Sequence, residues 1–144
     1  MTDFRPVAAG FAVAGQLSLE DVSRAAAEGF TTIVKNRPDA EDPNVPSEAE
    51  MKAAAAKAGL GFQSLPFSGP PPPAVVAEMA MLLDRATGPV LAYCRTGQRS
   101  ITAWAMAQAL SGALRPKQII EMASRAGYDL SSVRAALETL APPV

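Results

Sequence analysis

The 144-residue sequence predicts an α/β fold, a mostly parallel central sheet of four or five strands flanked by helices, on three observations. Short apolar runs rich in β-branched residues alternate four times with segments of helical period. Serines stand where helical segments begin and glycines where they end. At this length, a 49% hydrophobic composition is enough to fill one core, so residues 1–144 are read as a single domain.

Each element has its own signal. Met1 to Arg5 reads as a frayed end, and the first strand as Phe11-Ala12-Val13. Ser18 with Asp21 three residues on makes a capping-box start, Leu19, Val22 and Ala26 share a helical face, and Gly29 stops the helix. Phe30 to Val34 is the second strand, followed by an aperiodic polar loop from Lys35 to Pro43. Ser47 and Glu50 open an alanine-rich helix that ends at Gly59. Gly61 to Phe67 is the third strand, and Pro70 to Pro73 launches a helix over Ala74 to Arg85. Gly88-Pro89 starts the strand that ends at Cys94, and helices follow over Ser100 to Leu110, Lys117 to Ala126 and Ser131 to Leu140.

Composition closes off several chemistries. Thirteen basic and fourteen acidic residues give a net charge of −1, which argues against a nucleic-acid footprint. No apolar run is long enough for a membrane span, no signal peptide is visible, and one cysteine makes no intrachain disulfide, so a cytoplasmic setting is expected. With no histidine, Ser-His-Asp and Cys-His catalysis are removed, and one cysteine alone offers no zinc site. Neither a Gly-Lys-Ser/Thr loop nor a Gly-x-Gly-x-x-Gly turn is present, so no cofactor is expected.

The chemistry therefore centres on Cys94, placed between a strand and a helix start. Such a loop aims backbone N–H groups inward and adds the positive end of the helix dipole, which stabilises a thiolate. Thr96, Gly97 and Gln98 would line the anion site, Arg95 would add charge, and Arg99 would offer a planar fork to an oxyanion. Ser100 can donate its hydroxyl toward sulfur. Ligands of parallel sheets bind at the carboxyl ends of the strands, where Asn36 to Asp42, Ser68 to Pro71 and Cys94 to Ser100 are expected to converge. Asn36 and Arg37 are thereby candidate anion-binding residues.

Cys94-Arg95-Thr96-Gly97-Gln98-Arg99-Ser100 resembles the active-site loop of rhodanese-type sulfurtransferases, in which four residues likewise separate cysteine and arginine. Protein tyrosine and dual-specificity phosphatases use a related cradle, with histidine before the cysteine and five residues before the arginine. Here Tyr93 stands at the histidine position, and Ser100 stands where that arginine would be. From roughly Phe11 to Leu140 the chain resembles the bacterial beta-lactamase-hydrolase-like protein family, phosphatase-like domain. The resemblance runs through Phe11-Ala12-Val13-Ala14-Gly15-Gln16-Leu17, Asn36-Arg37-Pro38-Asp39 and the Cys94 loop with its helix. It implies a dual-specificity-phosphatase-like fold.

These resemblances imply two chemistries. As a phosphatase, Cys94 would attack a phosphate monoester, Arg99 and the loop amides would hold the oxygens, and Ser100 would help release the cysteinyl phosphate. The loop after the third strand, Pro66 to Pro70, carries no acid to protonate the leaving oxygen, which leaves Asp39 as the candidate. As a sulfurtransferase, Cys94 would take sulfur from thiosulfate or a persulfide and pass it to an external thiol or cyanide. The short loop and missing acid favour sulfur; the fold and the Arg99-Ser100 pair favour phosphate. On the residues alone the balance tips to sulfur, with phosphate hydrolysis as the alternative and anion or phospho-partner binding without turnover as the third reading.

Overall fold

The computed structural model describes residues 2–143. Strands β1 (Phe4–Ala8), β2 (Phe11–Ala14), β3 (Thr32–Lys35), β4 (Gly61–Ser64) and β5 (Val90–Tyr93) form one sheet in the order β1-β2-β5-β3-β4. The last four are parallel, and β1 pairs antiparallel with β2 at the edge. Around them lie α1 (Leu19–Ala27), α2 (Glu48–Lys57), α3 (Pro73–Arg85), α4 (Gln98–Ser111), α5 (Pro116–Arg125) and α6 (Arg134–Leu140).

The period of two along each strand divides the core. Val13, Val34, Val90 and Ala92 point to one face, where Met79 of α3, Ile101 and Trp104 of α4, Ile119 of α5 and Leu137 of α6 pack. Ala12, Ala14, Ile33, Leu91 and Tyr93 point to the other, against Val22 of α1 and Met51 and Ala55 of α2. Because both faces are covered, β5 reads as an uninterrupted apolar run rather than an alternation. Each large side chain buried this way contributes about 1.5–3 kcal/mol.

Both expected capping boxes form. The Ser18 hydroxyl accepts the Asp21 N–H at 3.1 Å while the Asp21 carboxylate accepts the Ser18 N–H at 2.9 Å. Ser47 and Glu50 do the same at α2.

The N-terminal reading is corrected. Phe4 and Arg5 belong to a strand, not a frayed end; Met1 lies outside the described residues. Only Val7 of β1 is buried, and Pro6, tolerated at a sheet edge, breaks the alternation that would have revealed it. What anchors the strand is remote: Phe4 meets Phe30 edge-on at 5.8 Å, and the Arg24 guanidinium covers the Phe4 ring at 3.6 Å. Two strands are also shorter than expected, β3 beginning at Thr32 and β4 ending at Ser64, just before Leu65 and Pro66. The last helical segment opens as a 3-10 turn, Ser131–Val133, before α6. Among the described residues no helix is long and apolar enough to cross a membrane.

The order β2-β5-β3 sets where the helical connections part. α1 and α2 cover one face and α3 to α6 the other, so the loop leaving β5 lies where the connections part, which is the place such sheets bind ligands.

Candidate active site

The turn from β5 into α4, the expected anion cradle, folds closely around Cys94. Cys94 is fully buried, its N–H donating to Ala14 O at 3.3 Å, and its Sγ accepts the Gly97 N–H at 3.1 Å. Gly97 caps α4 with φ of +94°, a left-handed conformation that turns the chain tightly enough to aim its amide at the sulfur. The Thr96 hydroxyl accepts the Gln98 N–H at 3.3 Å. Behind the cradle, Gln16 N–H donates to Arg95 O at 3.3 Å, and a Cβ at Gly15 would lie only 3.0 Å from that carbonyl. The loop after β2 therefore needs glycine there to pack against the cradle. The Arg95 and Gln98 side chains are exposed at the rim.

Arg99 joins the three loops. Its Nη1 donates to Glu41 Oε2 at 2.6 Å and to Phe67 O at 2.9 Å, and its Nη2 donates to Glu41 Oε1 at 2.8 Å. Glu41 thus takes the end of the fork in a bidentate pair, and Phe67 takes the remaining Nη1 hydrogen. A guanidinium has five N–H groups. The Nε–H and the second Nη2–H, adjacent along the side of the fork, have no oxygen partner among the described residues, and the guanidinium reaches the Cys94 sulfur. Glu41 raises the Arg99 pKa, with Cys94 adding to the effect, so the fork is permanently charged beside the thiol. The convergence of loops runs through Phe67 and Glu41 rather than through Ser68 to Pro71.

The loop after β3 is otherwise occupied with itself. Asn36 is buried; it accepts the Ser100 hydroxyl on Oδ1 at 2.8 Å and donates to Leu65 O at 2.9 Å. Ser100, expected to donate toward sulfur, gives its hydrogen to Asn36 instead. Arg37 is buried too, with Nε donating to Glu41 Oε1 at 3.0 Å and Nη1 to Gln16 Oε1 at 3.0 Å. Asn36 and Arg37 therefore shape the cradle from behind and do not offer themselves to an anion.

Asp39, expected as the proton donor, sits against the start of α2. Its two oxygens each accept the Glu48 N–H at 3.0 Å, at the first residue of α2, and Lys35 Nζ lies 3.0 Å from Oδ1. The helix N-terminus and then Lys35 hold its carboxyl below the usual carboxylate range. Glu41 is likewise lowered, first by Arg99 and also by Arg37. Asp39 and Glu41 are thus both favoured as ions.

Glu41, Gln16 and Tyr128 bond to residues of the candidate site, and the sequence did not single them out. Glu41 had one available signal, a carboxylate four residues after Arg37 in a loop already expected at the cleft. Gln16 lies in the turn after β2 and holds Arg37. Tyr128 follows α5, far along the chain, and its hydroxyl donates to Thr96 O at 2.9 Å.

A buried cysteine and an arginine fork at the carboxyl end of a doubly covered parallel sheet define a phosphatase-like domain. Residues 3–111 match the family model for beta-lactamase hydrolase-like protein, phosphatase-like domain, and the chain belongs to that family. It is 33% identical over 127 residues to the beta-lactamase hydrolase-like protein of Agrobacterium fabrum, covering 88% of this chain and 30% of that protein. The corresponding protein of Xylella fastidiosa strain 9a5c is 28% identical over 128 residues, with the same coverages. The chain thus spans about 30% of the length of these curated relatives. Among solved structures, a candidate phosphatase from Neisseria meningitidis Z2491 superposes with a TM-score of 0.80 and 32% identity, over 94% of this chain and 96% of that one. Kinase associated phosphatase, with its catalytic-site cysteine replaced by serine, superposes with a TM-score of 0.75 over 100% of this chain and 97% of that one. At 15% identity it shows the shared dual-specificity-phosphatase-like fold.

Proposed function

We propose that this domain is a thiolate-dependent hydrolase of phosphate monoesters. The carrying observation is the anchored Arg99 fork, whose end is fixed by Glu41 and Phe67 and whose side stays open next to a buried thiol. Cys94 Sγ attacks phosphorus opposite the leaving oxygen, an S–P bond forms as the P–O bond breaks, and the freed oxyanion takes a proton from solvent. Water then attacks the cysteinyl phosphate and releases inorganic phosphate, restoring the thiolate. Through both steps, the open side of Arg99 and the amides of the loop hold the non-bridging oxygens. Those donors are placed before the reaction and cost no reorganisation during it. Asn36 keeps Ser100 and the base of the cradle in register.

This assignment reverses the balance drawn from the sequence, because family and fold support phosphate chemistry. With Asp39 and Glu41 both favoured as ions, neither stands ready to protonate the leaving group, and the site suits substrates whose leaving group departs without protonation, such as aryl phosphates. One observation favours sulfur transfer as the second reading: the four-residue spacing from Cys94 to Arg99, with sulfite needing no acid to leave. Treating the purified protein with an aryl phosphate and, separately, with thiosulfate, then weighing the intact chain, tests both. Phosphate release that disappears in Cys94→Ser, a loss of more than about 10³-fold, is expected. A persulfide on Cys94 without phosphate release would overturn the assignment.

A further inference from the structure

We propose that Tyr128 is a positioning residue of the cradle, holding the Thr96–Gly97 peptide so that its N–H points at Cys94. The inference rests on the reading of residues 94–100 as an oxyanion cradle. Both ends of this one peptide unit are engaged. Its carbonyl, Thr96 O, accepts the Tyr128 hydroxyl at 2.9 Å, and its N–H, on Gly97, donates to Cys94 Sγ at 3.1 Å. A peptide is planar, so fixing the carbonyl outward fixes the N–H inward.

The loop cannot supply that constraint alone. Gly97, at φ of +94°, is the residue least restricted in backbone rotation. A rotated peptide would remove the donor from the sulfur and set a carbonyl oxygen against a thiolate and against any bound oxyanion. Tyr128 opposes this rotation from outside, and it is itself held. Gly127, with φ of +95°, ends α5, and the Tyr128 N–H donates to Ala123 O at 2.9 Å. The Arg5 guanidinium sits 5.4 Å from the Tyr128 ring centroid, which ties the edge strand β1 to the same device. Contact is close enough that a Cβ at position 97 would lie 2.2 Å from the Tyr128 hydroxyl. Burial raises the Tyr128 pKa, outweighing the opposing charge of Arg5, and keeps its hydroxyl a donor.

Tyr128→Phe removes only the hydroxyl and leaves the ring packing. Two readouts separate positioning from simple support. In 15N-labelled protein, the Gly97 amide proton is expected to move upfield and exchange faster in the variant. In turnover of an aryl phosphate, KM is expected to rise about five- to tenfold with kcat within about twofold, because saturating substrate selects the inward N–H while free enzyme spends most of its time rotated. An unchanged Gly97 amide with unchanged KM overturns the proposal, as does a fall in kcat at constant KM accompanied by a lower melting temperature. If the wild type hydrolyses no phosphate yet the Gly97 amide still moves, the phosphatase assignment fails and the clamp stands.

Discussion

Arg37 and Arg99 leave the ends of neighbouring parallel strands and reach the same carboxylate, Glu41, yet their remaining donors have opposite fates. Arg37 gives Nε to Glu41 and Nη1 to Gln16, with its Nη2 3.9 Å from Asp42 Oδ2, so its surroundings absorb it. Arg99 gives Glu41 and Phe67 the end and far side of its fork, and no protein oxygen among the described residues takes the remaining edge, which faces toward Cys94. Charge at a cleft is thus a poor guide to anion binding. What decides is which N–H groups remain once the protein has satisfied its own acceptors.

The same substitution at both arginines breaks or confirms this contrast. Lysine keeps the charge and discards the planar fork. Arg99→Lys is expected to lower kcat/KM for an aryl phosphate by about 10²–10³-fold, the cost of removing a preorganised oxyanion donor, with the circular dichroism spectrum unchanged. Arg37→Lys is expected to hold kcat/KM within about threefold and instead lose about 1 kcal/mol in urea unfolding, since the hydrogen bonds from the buried guanidinium to half-buried Gln16 and to Glu41 are given up. Equal kinetic losses at the two positions would show that Arg37 binds substrate.

Glu41 sharpens the comparison further, since it serves both arginines. Glu41→Gln leaves the Arg99 charge but replaces a bidentate ionic anchor with a single amide oxygen. Steady-state kinetics are expected to show about a tenfold loss in kcat/KM, smaller than Arg99→Lys because the fork is loosened and not removed. A variant as active as wild type would mean that Phe67 and the helix alone position Arg99.

How far the sequence reached is set by the same geometry. The cradle was legible because its parts are consecutive: a strand, a cysteine, a glycine able to take positive φ, an arginine and a helix start fit within a dozen residues. The caps at Ser18 and Ser47 were legible for the same reason. Glu41 and Tyr128 were not, because they meet Arg99 and Thr96 across 58 and 32 residues of chain, and no periodicity encodes such a meeting. β1 was hidden by Pro6 and by an anchor, Phe4 on Phe30, that exists only in three dimensions. The surroundings of Asp39 were hidden for a subtler reason. Its place in a cleft loop was right, but nothing in the linear pattern says that Glu48 N–H and Lys35 will claim both of its oxygens.

Asp39 therefore carries the smallest kinetic prediction and the sharpest sign. A general acid must hold its proton in the working pH range, which requires a raised pKa, whereas Asp39 is lowered by the α2 N-terminus and Lys35. A carboxylate lowered on folding contributes stability that is fully present above its unfolded value, about 3.9, and is lost as pH falls through the folded value below that. Asp39→Asn is expected to keep kcat within about twofold at all pH values where the fold persists. Urea unfolding near neutral pH should show a loss of about 0.5 kcal/mol, because the amide oxygen still accepts the Glu48 N–H while the negative charge facing the α2 N-terminus and Lys35 is lost. The gap between variant and wild type should close as the pH drops below about 4, where the native carboxylate also protonates. A rate loss of 10²-fold or more in Asp39→Asn, with stability unchanged, would return Asp39 to the role of acid and would mean that the loop after β3 rearranges when substrate binds.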